Sequence, residues 1–220
     1  MKLSINTSKF AVYDDILEEK DFKDVWKWVQ QQDYNVVNNS GWMKVWRLSD
    51  GHPMGGHQFD STKAPFDNAL EPVRLALNKI VESHPVLFGE WDRIIYRSYI
   101  YPKGTRIDWH NDQGYEAAAI FYTHPKWAAN WGGELKVAEV AKDYQYNNIG
   151  GQVDVEWRED FLNAWGVGHY IVPKPNRFVV TGGGVWHSIS RVDEDAGDNC
   201  RCSIVCFFRK DEKPSANPAM

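Results

Sequence analysis

Two histidines and one aspartate are the residues of this chain whose types and spacing best suit metal chemistry. His110 ends the strand-like run RIDWH, Asp112 follows two positions later, and His187 lies much further along, in VWHSISRV. Residues i and i+2 of a strand point to the same face, so His110 and Asp112 can reach one ion if the chain is extended there. Two histidines and one carboxylate form the facial set that holds non-haem iron(II) with open coordination positions. A surface turn with a His/Asp hydrogen bond is the alternative for His110 and Asp112.

Arg201 is the next candidate for chemistry. It begins the apolar run RCSIVCFF, in which strand alternation places Arg201, Ser203, Val205 and Phe207 on one face. A guanidinium on that face could bind a carboxylate through two parallel hydrogen bonds inside a cavity. The alternative is an exposed strand end, or an ion pair with the nearby acidic loop DEDAGD.

The motifs between residues 93 and 209 resemble those of the 2-oxoglutarate and iron(II)-dependent oxygenase superfamily, in particular its prolyl-hydroxylase-like branch. The matching stretches, in order, are YPKGTRIDWHND, AIFYTHPKW, WGGELKV, PNRFVVTGGGVWHSIS and RCSIVCFF. The first third of the chain matches only in its general layout of helix followed by strand.

This resemblance implies specific roles for six residues. Iron(II) would be bound by His110, Asp112 and His187. The distal carboxylate of 2-oxoglutarate would be bound by Arg201, Tyr122 and Tyr101. For the two tyrosines, ordinary packing of barrel-lining aromatic rings is the alternative.

The resemblance also implies a reaction. 2-Oxoglutarate is decarboxylated to succinate and CO2 with O2 as the oxidant and ascorbate in support, and an unactivated C–H bond is hydroxylated. Asp112 favours oxygenation, because halogenating members of the family have a small residue there, whereas desaturation or cyclisation needs no different ligand. Two alternatives stay open: a cupin-like metal-binding barrel without turnover, and an iron-dependent nucleic-acid demethylase. The net charge of −5 disfavours the demethylase.

The surroundings of the expected substrate mouth differ from the prolyl-hydroxylase pattern. Ile107 stands where those enzymes often have tyrosine, the segment 188–200 is long and acidic, and the insert 141–169 has no counterpart. The substrate is therefore expected to be a small molecule, an amino acid or a peptidyl proline. Arg97, on the same strand face as Tyr101, is a candidate to hold a substrate carboxylate, the alternative being an exposed strand residue.

Short apolar runs dominate the chain from residue 93 onward and are separated by turn signals such as PKG, GG, PKPN and GGG. They are RIIYRSYI, RIDWH, AAAIFY, ELKVAEV, HYIV, RFVV, VWHSISRV and RCSIVCFF. This spacing predicts a barrel or sandwich of antiparallel strands. With the resemblance, the expected fold is mainly β, a double-stranded β-helix of the jelly-roll or cupin-like type with N-terminal support helices.

Two helices are predicted before the strands, because apolar residues recur at three- and four-residue spacing over 15–31 and 71–83. Both are expected to pack outside the larger sheet. The whole chain is expected to form one domain, with a helical support region over 1–92, a barrel core over 93–209 and a flexible tail over 211–220.

The remaining composition argues against several other classes. The chain has 25 basic and 30 acidic residues without a basic block, so nucleic acid is an unlikely partner. No signal-like or bilayer-length apolar run is present, which favours a cytoplasmic protein without a membrane partner.

The cysteines, Cys200, Cys202 and Cys206, are odd in number and clustered, as expected of packed thiols in a reducing compartment. His52 and His57 are interpreted as solvated loop histidines. The oligomeric state has no signature in the sequence.

Overall fold

The structure is a computed structural model, and it describes residues 1–37, 51–63, 66–112, 114–139 and 167–211. The helices within these ranges are α1 (Glu19–Gln30), α2 (Glu71–Ser83) and α3 (Pro85–Phe88). The strands are β1 (Lys2–Asn6), β2 (Phe10–Asp14), β3 (Asn35–Val36), β4 (Met54–Asp60), β5 (Arg93–Tyr101), β6 (Ile107–His110), β7 (Ala117–Tyr122), β8 (Leu135–Ala138), β9 (Gly168–Ile171), β10 (Phe178–Gly182), β11 (His187–Ile189) and β12 (Arg201–Arg209).

The strands form two antiparallel sheets. The large sheet has the order β1-β2-β10-β7-β12-β5-β4-β3, and the small sheet has the order β6-β11-β8-β9. From β5 to β12 the chain crosses repeatedly between them, so β5, β7, β10 and β12 lie in the large sheet while β6, β8, β9 and β11 lie in the small one. This confirms the expected double-stranded β-helix, in which two facing sheets enclose an interior.

The central strands of the large sheet are buried on both faces, which explains their nearly continuous apolar sequences. On β7, Ala119 and Phe121 belong to an outer core, whereas Ile120 and Tyr122 belong to the core between the two sheets. Alternation along the strand therefore divides each apolar run between two cores. The inner core is the place where side chains of both sheets meet.

The predicted helices cover the outer face of the large sheet. Val25 and Val29 of α1 and Leu77 and Ile80 of α2 are buried in the outer core. The second helix has the predicted bounds, but α1 begins at residue 19 and not at residue 15. Residues 15–18 are held differently, because the side chain of Asn176 bonds both the N–H and the carbonyl of Leu17. None of the helices in the described ranges is long and apolar enough to cross a bilayer.

The first third of the chain contributes the four strands β1 to β4, whose positions the sequence analysis did not predict. Most notably, β2 pairs with β10 inside the large sheet. His57 is exposed, as predicted, but it lies on strand β4 and not in a loop. The cysteines of β12 pack in the outer core. The strand-like run WMKVWRL, over 42–48, lies outside the described residues, as do most of the insert 141–169 and the tail beyond residue 211.

Candidate active site

The predicted metal ligands meet at the junction of β6 and β11. These strands are antiparallel neighbours, and His187 lies directly opposite His110 in their register, with ring centroids 4.3 Å apart. Asp112 approaches both rings: its Oδ1 is 3.5 Å from His110 Nε2 and its Oδ2 is 3.4 Å from His187 Nε2. One ligand atom from each residue lies within 4.8 Å of the others, a separation that one metal ion can bridge.

The tautomer of both histidines suits a metal ligand. His110 Nδ1 is 2.7 Å from the Asp108 carbonyl oxygen, and His187 Nδ1 is 2.8 Å from the Val185 carbonyl oxygen. A carbonyl oxygen only accepts, so in each neutral ring Nδ1 carries the hydrogen and Nε2 keeps its lone pair. Such backbone bonds fix both the tautomer and the ring orientation of metal-binding histidines. The donor set therefore fits a divalent ion such as iron(II).

Asp112 reaches the site by a different route from the one that the sequence suggested. Strand β6 ends at His110, and Asp112 follows in the left-handed region with φ of 49°. The alternation of an extended strand therefore does not explain why the two side chains meet. Left-handed backbone at a residue other than glycine is uncommon and is frequently retained at functional sites.

The electrostatic surroundings shift the pKa of all three residues, and two of the three shifts favour the form that binds a cation. Burial alone would raise the pKa of Asp112, but the neighbouring His187 and His110 hold it at about 2. Burial, with the proximity of His187, lowers the pKa of His110 to about 4. Burial opposes the charged form of His187 as well, but Asp112 raises its pKa above the ordinary value. At neutral pH Asp112 is therefore a carboxylate and His110 a neutral imidazole, whereas the raised pKa of His187 favours a proton that a bound metal would displace.

Arg201 lies on the inner face of the large sheet and is 1% exposed. Its Nε donates to the Gly133 carbonyl oxygen at 2.8 Å, and its Nη2 donates to Tyr122 Oη at 3.3 Å. The guanidinium carbon lies 4.9 Å from the centre of the Tyr122 ring and 5.0 Å from that of Tyr101. The structure therefore brings together the three residues predicted for the co-substrate. Within the described ranges Arg201 has no carboxylate partner, which leaves the alternative ion pair with the acidic loop without support.

Two further features of this region were missed by the sequence analysis. Ser203 is fully buried two positions after Arg201, between Tyr99 and Tyr122 in the sheet register, and its Oγ has no hydrogen-bond partner among the described residues. A buried hydroxyl on the same strand face as a guanidinium is a suitable additional donor to an anion. Gly133 has φ of 72°, and a Cβ on it would lie 2.9 Å from Arg201 Cδ. Two sequence patterns could have indicated them. Strand alternation in RCSIVCFF places Ser203 on the face of Arg201, and the glycine pair of WGGELKV contains Gly133.

The other end of the inner face is more open. Arg97 and Tyr99 of β5 point to the inner face there, with Phe207 of β12 and Tyr115 beside them. Burial raises the pKa of Tyr99; Arg97 opposes this shift, whereas Tyr115 and Asp112 add to it. Tyr99 therefore lies within electrostatic reach of both Arg97 and the metal-ligand set. We call this region the open end, and the surroundings of Arg201 the closed end.

Comparison with known proteins identifies the family of this barrel. The model of the 2OG-Fe(II) oxygenase superfamily matches residues 96–209, which is 114 of the 220 residues. The chain belongs to this superfamily. As a member, it is a 2-oxoglutarate-dependent dioxygenase that requires iron(II), 2-oxoglutarate and O2. A search of curated proteins gave no match.

Solved structures of prolyl hydroxylases share the fold of this oxygenase. A prolyl-4-hydroxylase from Pseudomonas putida aligns with a TM-score of 0.61 and 14% identity, over 93% of this chain and 94% of that one. A prolyl hydroxylase from Trichoplax adhaerens, in complex with a peptide fragment of the hypoxia inducible factor oxygen degradation domain, gives 0.61 and 12%, over 93% and 85%. The collagen prolyl hydroxylase of Paramecium Bursaria Chlorella virus-1, in complex with 2-oxoglutarate, gives 0.55 and 9%, over 93% and 97%.

Proposed function

We propose that this oxygenase hydroxylates an unactivated C–H bond of a small molecule, an amino acid or a peptidyl proline. Iron(II) is bound by His110, Asp112 and His187, and the distal carboxylate of 2-oxoglutarate is bound by Arg201 with Tyr122 and Tyr101. The observation that supports this assignment best is that one barrel interior contains both kinds of binding group. It combines a facial set of metal donors with a buried arginine that has no carboxylate partner within the described ranges.

The residues of the chain prepare the reaction in three ways. When bound, iron(II) and 2-oxoglutarate supply the oxidation, in which 2-oxoglutarate, O2 and the C–H compound become succinate, CO2 and the hydroxylated product. His110, Asp112 and His187 would hold the iron(II), and a set of three protein ligands would let the co-substrate bind the same ion. Arg201 binds a carboxylate in a site without bulk water, where a charge-assisted, two-point hydrogen bond is strong. The buried tyrosines exclude water from the same site.

Asp112 favours hydroxylation over halogenation. A carboxylate at this position fills the coordination site that halogenating relatives leave to a halide. Desaturation and ring closure use the same metal ligands as hydroxylation, so the mass of the product must distinguish the three reactions. A gain of one oxygen indicates hydroxylation, and a loss of two hydrogens indicates desaturation or cyclisation.

The test is an assay of the full chain with iron(II), 2-oxoglutarate and ascorbate. Succinate is quantified while free amino acids and proline-containing peptides are screened for a mass gain of one oxygen. The peptides belong in the screen because one prolyl hydroxylase of similar fold is bound to a peptide fragment. We expect succinate from the parent protein and none above background from the His187→Ala variant. A parent protein that does not bind 2-oxoglutarate with iron(II) present overturns the proposal in favour of a metal-binding barrel without turnover.

A further inference from the structure

Arg97 is a positive charge at the open end of the barrel, and it has no counter-ion within the part of the chain that the structure describes. It is partly buried, and its Nε donates to the Gly56 carbonyl oxygen at 3.0 Å. Among the described residues no carboxylate forms a salt bridge with it, although Arg93 on the same strand pairs with both Asp60 and Asp211. A guanidinium held partly out of water without a partner is costly unless an anion joins it. The absence of a counter-ion is therefore a reason to look for an anionic ligand.

The position of this guanidinium is fixed by its neighbours. Its central carbon lies 5.2 Å from the centre of the Tyr99 ring. On the opposite strand, a Cβ added to Gly55 would lie 2.6–2.7 Å from three guanidinium atoms, so the glycine leaves the space that the group occupies. A planar cation that lies over an aromatic ring and is bound to a carbonyl keeps its remaining N–H donors in a defined direction. Arg97 is therefore preorganised to receive a carboxylate.

An apolar surface accompanies this charge. Val205 lies opposite Arg97 in the register of β5 and β12, and Phe207 follows two positions later on the same face. Tyr115 stacks on Phe207 with ring centroids 4.6 Å apart and an angle of 29°. Val205 and Phe207 are only partly buried, whereas Arg201 and Ser203 on the same strand face are buried. Beside Arg97 the barrel thus offers room for an apolar group.

The guanidinium of Arg97 lies apart from the residues that are proposed to bind 2-oxoglutarate. Arg97 and Tyr101 are four residues apart on one strand, which is a separation of about 13 Å. Arg201, which lies opposite Tyr101, already serves the closed end. The metal-ligand set is within electrostatic reach of Tyr99, the residue that stands between Arg97 and Tyr101 on this face. A ligand bound to Arg97 therefore lies along the strand from the proposed co-substrate anchor, with Tyr99 between them.

We propose that Arg97 is the specificity-determining residue for the oxidised substrate, and that this substrate is a small carboxylic acid. Its carboxylate binds the Arg97 guanidinium, and its apolar part lies against Tyr115 and Phe207. This inference rests on the proposed function, because it assumes that the barrel oxidises a second molecule besides 2-oxoglutarate. It narrows the substrate from three classes to compounds with a free carboxylate, such as free amino acids.

The experiment compares free amino acids with the corresponding amides, which have the same shape but no charge at the carboxyl group. The full chain is loaded with iron(II) and 2-oxoglutarate, and substrate-stimulated succinate and products with one added oxygen are measured. We expect the best acid to have a kcat/KM at least tenfold above that of its amide. Arg97→Gln should remove this preference, while KM for 2-oxoglutarate stays within twofold of the parent value.

Two more variants separate a specific role from a structural one. Gly55→Ala keeps the charge of Arg97 but places a methyl group where the guanidinium lies, so it should raise KM for the acid at least threefold without reversing the preference. Arg106→Gln removes an exposed arginine and should leave both KM values unchanged.

The outcomes distinguish the two proposals. A protein that makes succinate but prefers no acid over its amide, or an Arg97→Gln variant that keeps the preference, overturns the role of Arg97. Oxidation of a proline peptide with blocked termini, in preference to every acid, overturns it as well. A parent protein that makes no succinate under any condition refutes the oxygenase assignment itself.

Discussion

The two ends of the barrel interior each present one arginine, but they surround it differently. Arg201 of β12 is fully buried, bonded to a backbone carbonyl and a tyrosine, and enclosed by two aromatic rings. Arg97 of β5, the strand that pairs with β12, is partly buried, with one bond to a backbone carbonyl and one ring beneath it. The same side chain is thus enclosed at one end and accessible at the other.

The difference in enclosure between the two arginines suits two binding tasks, one for the co-substrate and one for the substrate. A co-substrate that is the same in every turnover is best served by a site whose donors are all fixed beforehand. A substrate that must enter and leave needs access, and fewer contacts with the protein. The proposed metal ligands lie on the other sheet, at the junction of β6 and β11. A variant at either arginine should therefore affect one binding event only, whereas a variant at the metal should affect both.

The largest effect is expected from the metal ligands. His110→Ala, Asp112→Ala and His187→Ala should each abolish iron-dependent succinate formation, because two remaining ligands do not hold a facial site. The measurement is turnover together with bound iron after desalting. Asp112→Gly is the informative case, because glycine also suits the left-handed backbone at this position, so that the carboxylate is removed without backbone strain. If it hydroxylates as well as the parent, Asp112 is not a ligand.

Arg201→Ala should come next and affect the closed end alone. It leaves a desolvated carboxylate without its partner, at a cost of about 2 to 5 kcal/mol, so KM for 2-oxoglutarate should rise more than tenfold. Arg201→Lys should also be impaired, because it loses the two-point contact. Iron affinity, measured in parallel, should stay near the parent value. Undiminished binding of 2-oxoglutarate by Arg201→Ala would place the anchor elsewhere, with Arg97 and Arg191 as the next candidates.

Ser203→Ala tests whether the unpaired hydroxyl at the closed end serves the same anion. Loss of one hydrogen bond to a carboxylate costs about 1 kcal/mol, which is roughly a fivefold rise in KM for 2-oxoglutarate. Ser98→Ala is the matched control. Ser98 is as buried as Ser203, and its Oγ likewise has no hydrogen-bond partner among the described residues. It lies on the opposite face of the large sheet, which the helices cover. Equal KM values for Ser98→Ala and Ser203→Ala would exclude a role in binding.

The smallest effect on activity is expected from Asp14, which lies on β2 away from both arginines. Burial would raise the pKa of Asp14, but bonds from Arg177 and Ser4 hold it at about 2, below the ordinary value near 4. A depressed pKa means that this ion pair stabilises the fold above pH 4 and loses its contribution as the pH falls towards 2.

Asp14→Asn should therefore lower the free energy of unfolding at pH 7 by on the order of 2 kcal/mol. The difference from the parent should disappear near pH 2, and KM for 2-oxoglutarate at pH 7 should not change. Denaturant unfolding at both pH values measures this. A difference in stability that persists at pH 2 would show that the Asp14 carboxylate acts by packing and not by charge.

The sequence predicted the barrel better than the first third of the chain. The core strands were found because each apolar run is bounded by a turn signal, as in the run that became β7. Helix α2 was found because its apolar stripe is uninterrupted. Strand β2 was missed, because FAVYD is short and its pairing with β10 joins residues far apart in the chain. Such pairing depends on tertiary contacts, which local patterns do not contain.

The candidate site was predictable in its residue types and less so in its geometry. The resemblance supplied the metal ligands and Arg201, and the structure brings them into one interior. The left-handed backbone of Asp112 was not foreseen, because a polar residue after a strand does not reveal its φ. The close approach of Gly133 to Arg201 depends on a contact between residues 68 positions apart. Only the folded chain shows which glycines are needed for space.

The direct pairing of His110 with His187 has a consequence for how the protein matures. The two histidines are 77 residues apart, and they oppose each other only when β6 and β11 have found the correct register. A slip of one residue would turn one imidazole out of the barrel. Under the proposed assignment, iron(II) would bind tightly only to correctly paired chains, and a ligand at 100 times its dissociation constant favours them by about 2.7 kcal/mol. Metal supply during synthesis would then select the right strand pairing, and protein made without iron should be less stable and more readily degraded.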